Sequence, residues 1–319
     1  MFERSEEARQ DDLTVVVVSL VGGAALTTCL AALAPQAARI MVVGRGAPGW
    51  AEDAEASVPA LRMAALRAAQ TPYVAFIEDT AVPTPGWTQG LRSAFAEGAV
   101  AVAGPITISP LLSARCRALG LSEYARFQPT GNEHTGAAAL PGLAFAVARD
   151  AVLPLVGDPA EGLVEGDLVR RLFEAGQSVR TSNAMAVCYA VDHAQGARLR
   201  TRFQHGRLFA GRRFPRTDLG RRLGYAAAAF LLPAVMVRRA LKDHPKELKV
   251  WPGVVLWLCL LCAAWSAGEF TGYLTGSVGD GRPSWLTGGV GLPSISPRRR
   301  FSQLLAGRLS KIPLKRWFR

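Results

Sequence analysis

Two adjacent carboxylates, Glu78 and Asp79, stand at the end of a short apolar segment, residues 73–77. The segment is rich in β-forming residues and predicts a buried strand, which the proline- and glycine-containing turn at 83–86 brings to an end. Carboxylates at the carboxyl end of such a strand lie where open α/β sheets bind their ligands. A paired acid there can hold a hard divalent cation, which in turn can hold a diphosphate. The alternative interpretation is a strand that ends in a solvated acidic turn.

The elements around the acid pair alternate between strand and helix. Residues 13–20 form a continuous apolar stretch, which is typical of a parallel strand buried on both faces. Further strands are predicted at 39–43, 99–103 and 143–147, with one or two more within 178–190, and helices at 25–33, 59–69, 87–96, 111–125 and 167–175. This alternation predicts the α/β class, with a doubly wound, mostly parallel sheet flanked by helices.

The net charge of +12 is distributed unevenly over the 319 residues. Residues 1–196 carry a net charge of −6, whereas residues 197–249 carry +11 and residues 280–319 carry +8. An acidic body with basic segments beside apolar ones indicates anionic membrane lipid as a partner. We expect no nucleic-acid partner, because the basic residues flank hydrophobic stretches instead of aromatic platforms.

Two apolar segments, 223–237 and 250–274, lie in the last third of the chain. The second is long enough to cross a bilayer and the first is marginal. Trp251, Trp257 and Tyr273 lie partly near the ends of the second segment, where membrane helices carry aromatic residues. We expect a membrane-associated helical pair of undetermined depth, either spanning the bilayer or entering one leaflet. A pair of buried core helices is the alternative.

Composition divides the chain into five regions. They are a polar N-terminal tail (1–12), an α/β domain (13–197), a basic amphipathic connector (198–222), a membrane-associated helical hairpin (223–276) and a basic C-terminal tail (277–319). The polar, acidic N-terminus is unlike a secretory signal, so we expect the α/β domain on the cytoplasmic side of the membrane. The five cysteines have irregular spacings, which suggest neither a disulfide framework nor a zinc site.

Four segments of the sequence, in a consistent order, resemble those of one enzyme family. They are RMAALRAAQTPYVAFIEDTAVPTPGW (62–87), LPGLAFAVARDAVL (140–153), VEGDLVRRLFEAG (164–176) and WSAGEFTGYLTG (265–276). Together they are similar to the membrane-associated bacterial family 2 glycosyltransferases, which have the GT-A fold. The resemblance implies inverting transfer of a sugar from a nucleotide-sugar donor to a lipid-linked or membrane-proximal acceptor. It also implies a place at the inner membrane, with the catalytic domain on the cytoplasmic face, in the synthesis of envelope polysaccharide or glycolipid.

The resemblance further implies residues that bind the donor. Ser19, Leu20 and Val21 match the loop that lines the nucleotide pocket. Arg62 matches the arginine of the family's helix before the acid pair, and its planar guanidinium suits a diphosphate; the alternative is a solvated helix residue. The second strand of the family normally ends in acids that contact the base, but here Arg45 stands there and is a candidate for phosphate contact.

Metal binding is implied as well, with Mg²⁺ or Mn²⁺ as the cation. Glu78 and Asp79 match the family's acidic metal and diphosphate motif, and His193 matches a histidine near the metal or diphosphate. Thr80 stands where a further aspartate is usual, and a threonine carries no charge, so the expected affinity for a divalent ion is reduced. A lone histidine such as His193 is otherwise a structural or surface residue.

The general base is expected at the start of the 167–175 helix. Glu165 falls where the family's catalytic aspartate lies, and Asp167 matches the next acid of the motif, so Glu165 is the first candidate and Asp167 the second. Either residue can instead cap the helix, since acids favour helix starts. The replacements at Thr80, Gly44 and Val164 leave a second hypothesis open, a catalytically degenerate transferase that acts as a membrane scaffold in polysaccharide assembly.

Overall fold

The structure is a computed structural model. It describes residues 12–37, 39–48, 57–129, 139–157, 162–177, 179–192, 199–213, 218–243 and 252–276.

A six-stranded sheet forms the centre of the α/β domain. Its strands are β1 (Leu13–Ser19), β2 (Arg39–Gly44), β3 (Tyr73–Glu78), β5 (Ala101–Ala103), β7 (Ala144–Ala148) and β8 (Val179–Thr181). They lie in the order β2-β1-β3-β7-β5-β8, and all are parallel except β7, which runs antiparallel to β3 and β5. The predicted fold class, α/β with a mostly parallel sheet flanked by helices, is confirmed.

A smaller three-stranded sheet lies beside it. It consists of β4 (Ala81–Pro83), β6 (Ile106–Ile108) and β9 (Val187–Tyr189), in the order β4-β9-β6. Strands β4 and β6 were not predicted, because segments of three residues are too short to show an alternating pattern. The stretch 178–190 contains the two short strands β8 and β9, which is one of the two predicted outcomes.

Ten α-helices occur within the described residues. They are α1 (Gly23–Leu33), α2 (Val58–Ala68), α3 (Trp87–Ala96), α4 (Ala114–Tyr124), α5 (Arg149–Val152), α6 (Glu165–Glu174), α7 (Leu199–Arg213), α8 (Leu219–Ala229), α9 (Leu232–Asp243) and α10 (Pro252–Thr275). The predicted helix at 167–175 is α6, which begins two residues earlier, at the candidate base Glu165. The start of α2 is fixed by Ser57, whose hydroxyl accepts a hydrogen bond from the Ala60 N–H, and by a proline in the first turn.

The sheet has a hydrophobic core on each face. Because side chains alternate along a strand, Val15 and Val17 of β1 face the core formed with α1, α3 and α4, whereas Val16 and Val18 face the core formed with α2 and α6. All four valines are fully buried. Burial on both faces explains why β1 is a continuous apolar run, as predicted.

The C-terminal helices pack onto the first of these cores. Leu258 and Leu261 of α10 share it with Cys116 and Leu119 of α4. The apolar segment 223–237 is divided between α8 and α9, whose axes differ by 53°. Within the described residues, α10 is the one unbroken helix that is long and apolar enough to cross a membrane, and α8 with α9 also qualifies if taken as a single bent span.

Candidate active site

Three segments that are far apart in the sequence meet on one guanidinium group, that of Arg62. Arg62 lies on α2, Glu78 is the last residue of β3, and Glu165 is the first residue of α6. Arg62 Nη2 donates to Glu78 Oε1 at 3.1 Å, and Arg62 Nη1 donates to Glu165 Oε1. The two acids predicted from separate motifs are therefore brought together at the carboxyl end of β3.

The loop before β7 completes this cluster. Arg62 Nη2 also donates to the Gly142 carbonyl oxygen at 2.5 Å, and the guanidinium lies 5.5 Å from the centre of the Phe145 ring. A Cβ atom at position 142 would lie 2.7 Å from Glu165 Oε1, so a larger residue there would displace the glutamate carboxylate from this position. We call Arg62, Glu78, Gly142 and Glu165 the arginine cluster. Gly142 was missed as a site residue, because the sequence does not show which backbone approaches a buried guanidinium.

The protonation of Glu78 reflects its surroundings. Burial raises the pKa of Glu78 to about 8, an increase that the nearby Arg62 partly offsets and that Glu165 adds to. At neutral pH this carboxyl group is therefore mostly protonated, and the charge of Arg62 is balanced chiefly by Glu165. The arginine cluster is close to neutral overall, instead of carrying the negative charge that a paired-acid metal site needs.

Asp79 has a different environment from its neighbour Glu78. Its carboxylate is fully buried and accepts hydrogen bonds from the Ser19 hydroxyl (2.8 Å) and from the backbone N–H groups of Leu20 (3.0 Å), Val21 (3.0 Å) and Gly22 (2.7 Å). These donors are the last residue of β1 and the turn that connects it to α1. Asp79 thus holds in place the loop that was predicted to line a nucleotide pocket.

We expect Asp79→Asn to destabilise the protein by about 2 kcal/mol, because an amide has one acceptor oxygen and its NH₂ group would face backbone donors. Denaturant unfolding of the purified protein measures this change. Asp150→Asn is the matched control, since the Asp150 side chain is 81 % exposed and its replacement should change the free energy of unfolding by less than about 0.5 kcal/mol. Equal effects of the two replacements would show that the Asp79 hydrogen bonds do not organise the loop.

The residues of the site do not fit a resident divalent cation. Both Asp79 oxygens are engaged by N–H and O–H donors, and Glu78 and Glu165 are both bound to Arg62. Thr80 is buried and uncharged. Within the described ranges, no group of three or more His, Cys, Asp and Glu side chains is arranged to hold a metal ion. His193, the other predicted ligand, lies outside the described residues.

The remaining predicted donor residues border the Asp79 loop. Ser19 is buried, Leu20 is half-buried, and Val21 is 37 % exposed. The Arg45 side chain is exposed, and the backbone N–H of Arg45 donates to the Ser19 carbonyl oxygen at 3.0 Å. Its Cβ also lies beside Gly22. The structure therefore places Arg45 next to the loop, where its side chain is free to reach an anion.

Asp167 lies outside the arginine cluster. Its side chain is 63 % exposed and lies 3.7 Å from Arg170 on the same helix, and it makes no hydrogen bond that caps α6. Glu165 does not cap α6 either, because its carboxylate reaches Arg62. Of the two candidate bases, the structure brings Glu165 and not Asp167 to Glu78.

A cleft of about 630 Å³ lies elsewhere, between α3 and the segment that runs from the end of β8 to Ala184. None of the predicted site residues lines it. We assign the candidate active site to the arginine cluster instead, because buried charged groups from three segments meet there and the pKa of one of them is strongly shifted.

Comparison with known proteins gives structural likeness only. No protein-family model matches the chain, and no curated protein is significantly similar to it. Solved structures that match include GT-A-fold glycosyltransferases. One is GalNAc-T7 with UDP, GalNAc and Mn²⁺ (TM-score 0.46, 10 % identity, covering 75 % of this chain and 55 % of that chain). Another is the mannosyltransferase PcManGT from Pyrobaculum calidifontis in complex with GDP-Man and Mn²⁺ (TM-score 0.45, 14 % identity, covering 80 % and 85 %).

This chain therefore spans about half the length of GalNAc-T7. At such distances the likeness concerns the fold, and the chemistry must be argued from the residues of this chain.

Proposed function

We propose that the protein is a family 2-like glycosyltransferase that moves a sugar from a nucleotide-sugar donor to a lipid-linked or membrane-proximal acceptor, with inversion at the anomeric carbon. The observation that carries the proposal is the arginine cluster. Glu78, Gly142 and Glu165 come from three separate segments and converge on Arg62 beside the loop that follows β1. The proposed setting is envelope polysaccharide or glycolipid synthesis, on the cytoplasmic face of the inner membrane.

Glu165 is the proposed general base. Its side chain is partly exposed, at 22 %, so an acceptor hydroxyl can approach it. The hydroxyl oxygen bonds to the anomeric carbon while its proton passes to a Glu165 oxygen, and the bond from the anomeric carbon to the diphosphate breaks. The nucleoside diphosphate leaves with that electron pair. Arg62 orients the carboxylate through the hydrogen bond to Glu165 Oε1 and leaves the second oxygen to receive the proton.

Asp79 is a positioning residue in this proposal. Because its carboxylate binds the N–H groups of 20–22, it fixes the loop on which the nucleotide would rest. Arg45 is an exposed cation next to that loop and is proposed to contact the donor phosphates.

Thermal unfolding in the presence of nucleotides tests the proposal, since a ligand that binds only the folded protein raises its stability. The full chain in detergent would be screened with UDP, GDP, CDP and dTDP and with their sugar conjugates. We expect one nucleotide series to raise the melting temperature in a concentration-dependent way. If no nucleotide or nucleotide sugar binds, with or without Mg²⁺ or Mn²⁺, the proposed function is wrong.

We predict that nucleotide affinity changes by less than about threefold between EDTA and 5 mM Mn²⁺ at matched ionic strength. The reason is that the carboxylates at the end of β3 are already engaged by Arg62 and by the Asp79 loop. Titration calorimetry in both buffers measures the ratio. An affinity at least about tenfold higher with Mn²⁺ would contradict the prediction and would indicate a metal site that involves residues beyond those described.

A second candidate is the non-catalytic membrane scaffold. It is favoured by one observation, that both glutamates of the site are held by Arg62. Full complementation of a deletion strain by Glu165→Gln would favour the scaffold, whereas loss of polysaccharide with normal protein levels would favour the enzyme.

A further inference from the structure

Helix α10 is accompanied by charged side chains along one face. The Arg115 guanidinium lies 5.7 Å from the ring centre of Trp257, and that of Arg202 lies 4.6 Å from the ring centre of Trp265. Near the helix end, Arg222 donates to the carbonyl oxygens of Tyr273 and Leu274 at 2.8 Å each. Trp257 and Tyr273 are about 24 Å apart along the helix axis. Charged groups therefore recur along this side of α10, and no stretch of it as long as the hydrocarbon core of a bilayer, about 30 Å, is free of them.

These charges belong to helices that are part of the body of the protein. Arg115 lies on α4, which lies within the α/β domain, and Arg202 lies on α7, where it is paired with Glu123 of α4. Glu269 of α10 itself is buried and accepts a hydrogen bond from the Trp265 indole. If α10 crossed a bilayer in this arrangement, α4 and its ion pair would lie inside the hydrocarbon, where charged groups are costly.

Close backbone contact ties α10 to α7. A Cβ atom at Gly268 would lie 2.0 Å from the Phe203 carbonyl oxygen, and one at Gly206 would lie 2.1 Å from the Trp265 carbonyl oxygen. Glycine is required at both positions for the two helices to approach so closely. This side of α10 is therefore packed tightly against α7, and the depth of α10 in a membrane is set by the body of the protein.

The opposite face of α10 is exposed and uncharged. Exposed residues recur at helical spacing from one end of the helix to the other: Leu256, Leu260, Ala263, Ala267 and Leu274. The bend between α8 and α9 exposes further apolar side chains, Leu223 at 53 %, Phe230 at 72 % and Leu231 at 66 %. Exposed arginines flank that bend, Arg221 on one side and Arg238 and Arg239 on the other. We call these exposed apolar residues of α8, of the turn between α8 and α9 and of α10 the apolar surface.

We infer that α10 does not cross the membrane and that the apolar surface seats the protein in one leaflet of an anionic bilayer. Helices that lie in an interface combine an apolar face with flanking arginines that meet anionic headgroups. Residues 197–249 supply the charge, at a net +11. Single-leaflet attachment keeps every basic segment on the cytoplasmic side, whereas a crossing would place at least one of them outside, against the positive-inside rule. This inference is independent of the proposed transferase activity.

Labelling from the two sides of the membrane tests the topology. Three variants of the full-length protein would each carry one new cysteine, at Ser5, Glu247 or Ser302, in a background where Cys188 and Cys259 are replaced by alanine. A membrane-impermeant maleimide would then be applied to inside-out and to right-side-out vesicles. We expect all three positions to react only in inside-out vesicles. A spanning hairpin would expose position 247 on the outer side, and a single crossing by α10 would expose position 302 there; either result overturns the inference.

Vesicle flotation tests the surface itself. The double variant Leu231→Ser/Leu256→Ser should bind vesicles containing anionic phosphatidylglycerol about tenfold less tightly than the unmodified protein. Phe173→Ser on α6 is the matched control, because Phe173 is 47 % exposed but lies outside the apolar surface, and it should bind normally. Equal binding by all three proteins, or equal binding of the unmodified protein to neutral vesicles, would overturn the inference.

Discussion

Glu165→Gln is expected to lower the rate of sugar transfer by about 10²- to 10⁴-fold, because a glutamine cannot accept the proton of the acceptor hydroxyl. The amide still accepts a hydrogen bond from Arg62 through its oxygen, so the site should stay assembled and nucleotide affinity should change little. Initial rates with saturating donor, together with the affinity for the nucleotide measured by calorimetry, separate these two effects.

Glu174→Gln is the matched control for this experiment. It makes the same chemical change on the same helix, but Glu174 is 58 % exposed and pairs with Arg170. Its transfer rate should stay within about twofold of the unmodified enzyme. If Glu165→Gln retained full activity and Asp167→Asn lost it, the base would be Asp167, and the assignment of the arginine cluster as the catalytic centre would be wrong.

The acid pair shows how far the sequence could predict the site. The apolar segment before Glu78 correctly indicated a strand that ends at the carboxyl edge of the sheet. Glu78 is the last residue of the strand, however, whereas Asp79 begins the turn that follows, and from these two positions Glu78 reaches Arg62 while Asp79 reaches the β1 loop. The path of that turn, which the sequence does not specify, separates two carboxylates that the motif assigned to one shared metal site.

Other features depend on contacts between distant segments. The meeting of Arg62, Gly142 and Glu165 requires the packing of α2 and α6 on the same face of the sheet, which composition and periodicity do not specify. The raised pKa of Glu78 likewise depends on burial by neighbours from several elements. The family resemblance identified Arg62 and Glu165 individually, but it did not predict that they form an ion pair.

The C-terminal third illustrates a second limit. Hydropathy correctly identified α10 as long and apolar, but hydropathy does not show what lies beside a helix. Gly268 belongs to a segment interpreted only as a family motif, and the structure shows it packed against the backbone of α7. The physical signal for that contact is the recurrence of glycine on one helical face, at 268 and 272, which permits close helix packing.

Arg62→Met is expected to destabilise the protein by about 3–5 kcal/mol at neutral pH, because it leaves the partly buried Glu165 carboxylate without its counter-charge and removes the hydrogen bonds to Glu78 and Gly142. Combining it with Glu165→Gln should recover a large part of that loss, since the double variant no longer places an unpaired carboxylate next to Glu78. A coupling free energy of more than about 1 kcal/mol in this double-mutant cycle, measured by denaturant unfolding, would demonstrate the interaction.

The loss of stability in the Arg62→Met variant should also depend on pH. The pKa of Glu78 is raised from 4.5 to about 8 in the folded protein, so the folded state binds more protons than the unfolded state between these values, and stability falls as pH rises through that window. Without Arg62, which lowers this pKa, the free energy of unfolding falls more steeply with pH near the upper end of this window. Arg62→Met should therefore be less destabilised at pH 5 than at pH 8. Arg67→Met is the control, since Arg67 is an exposed arginine on the same helix. Equal, pH-independent losses of stability in both variants would mean that the charge of Arg62 is not needed to balance the carboxyl groups of the site.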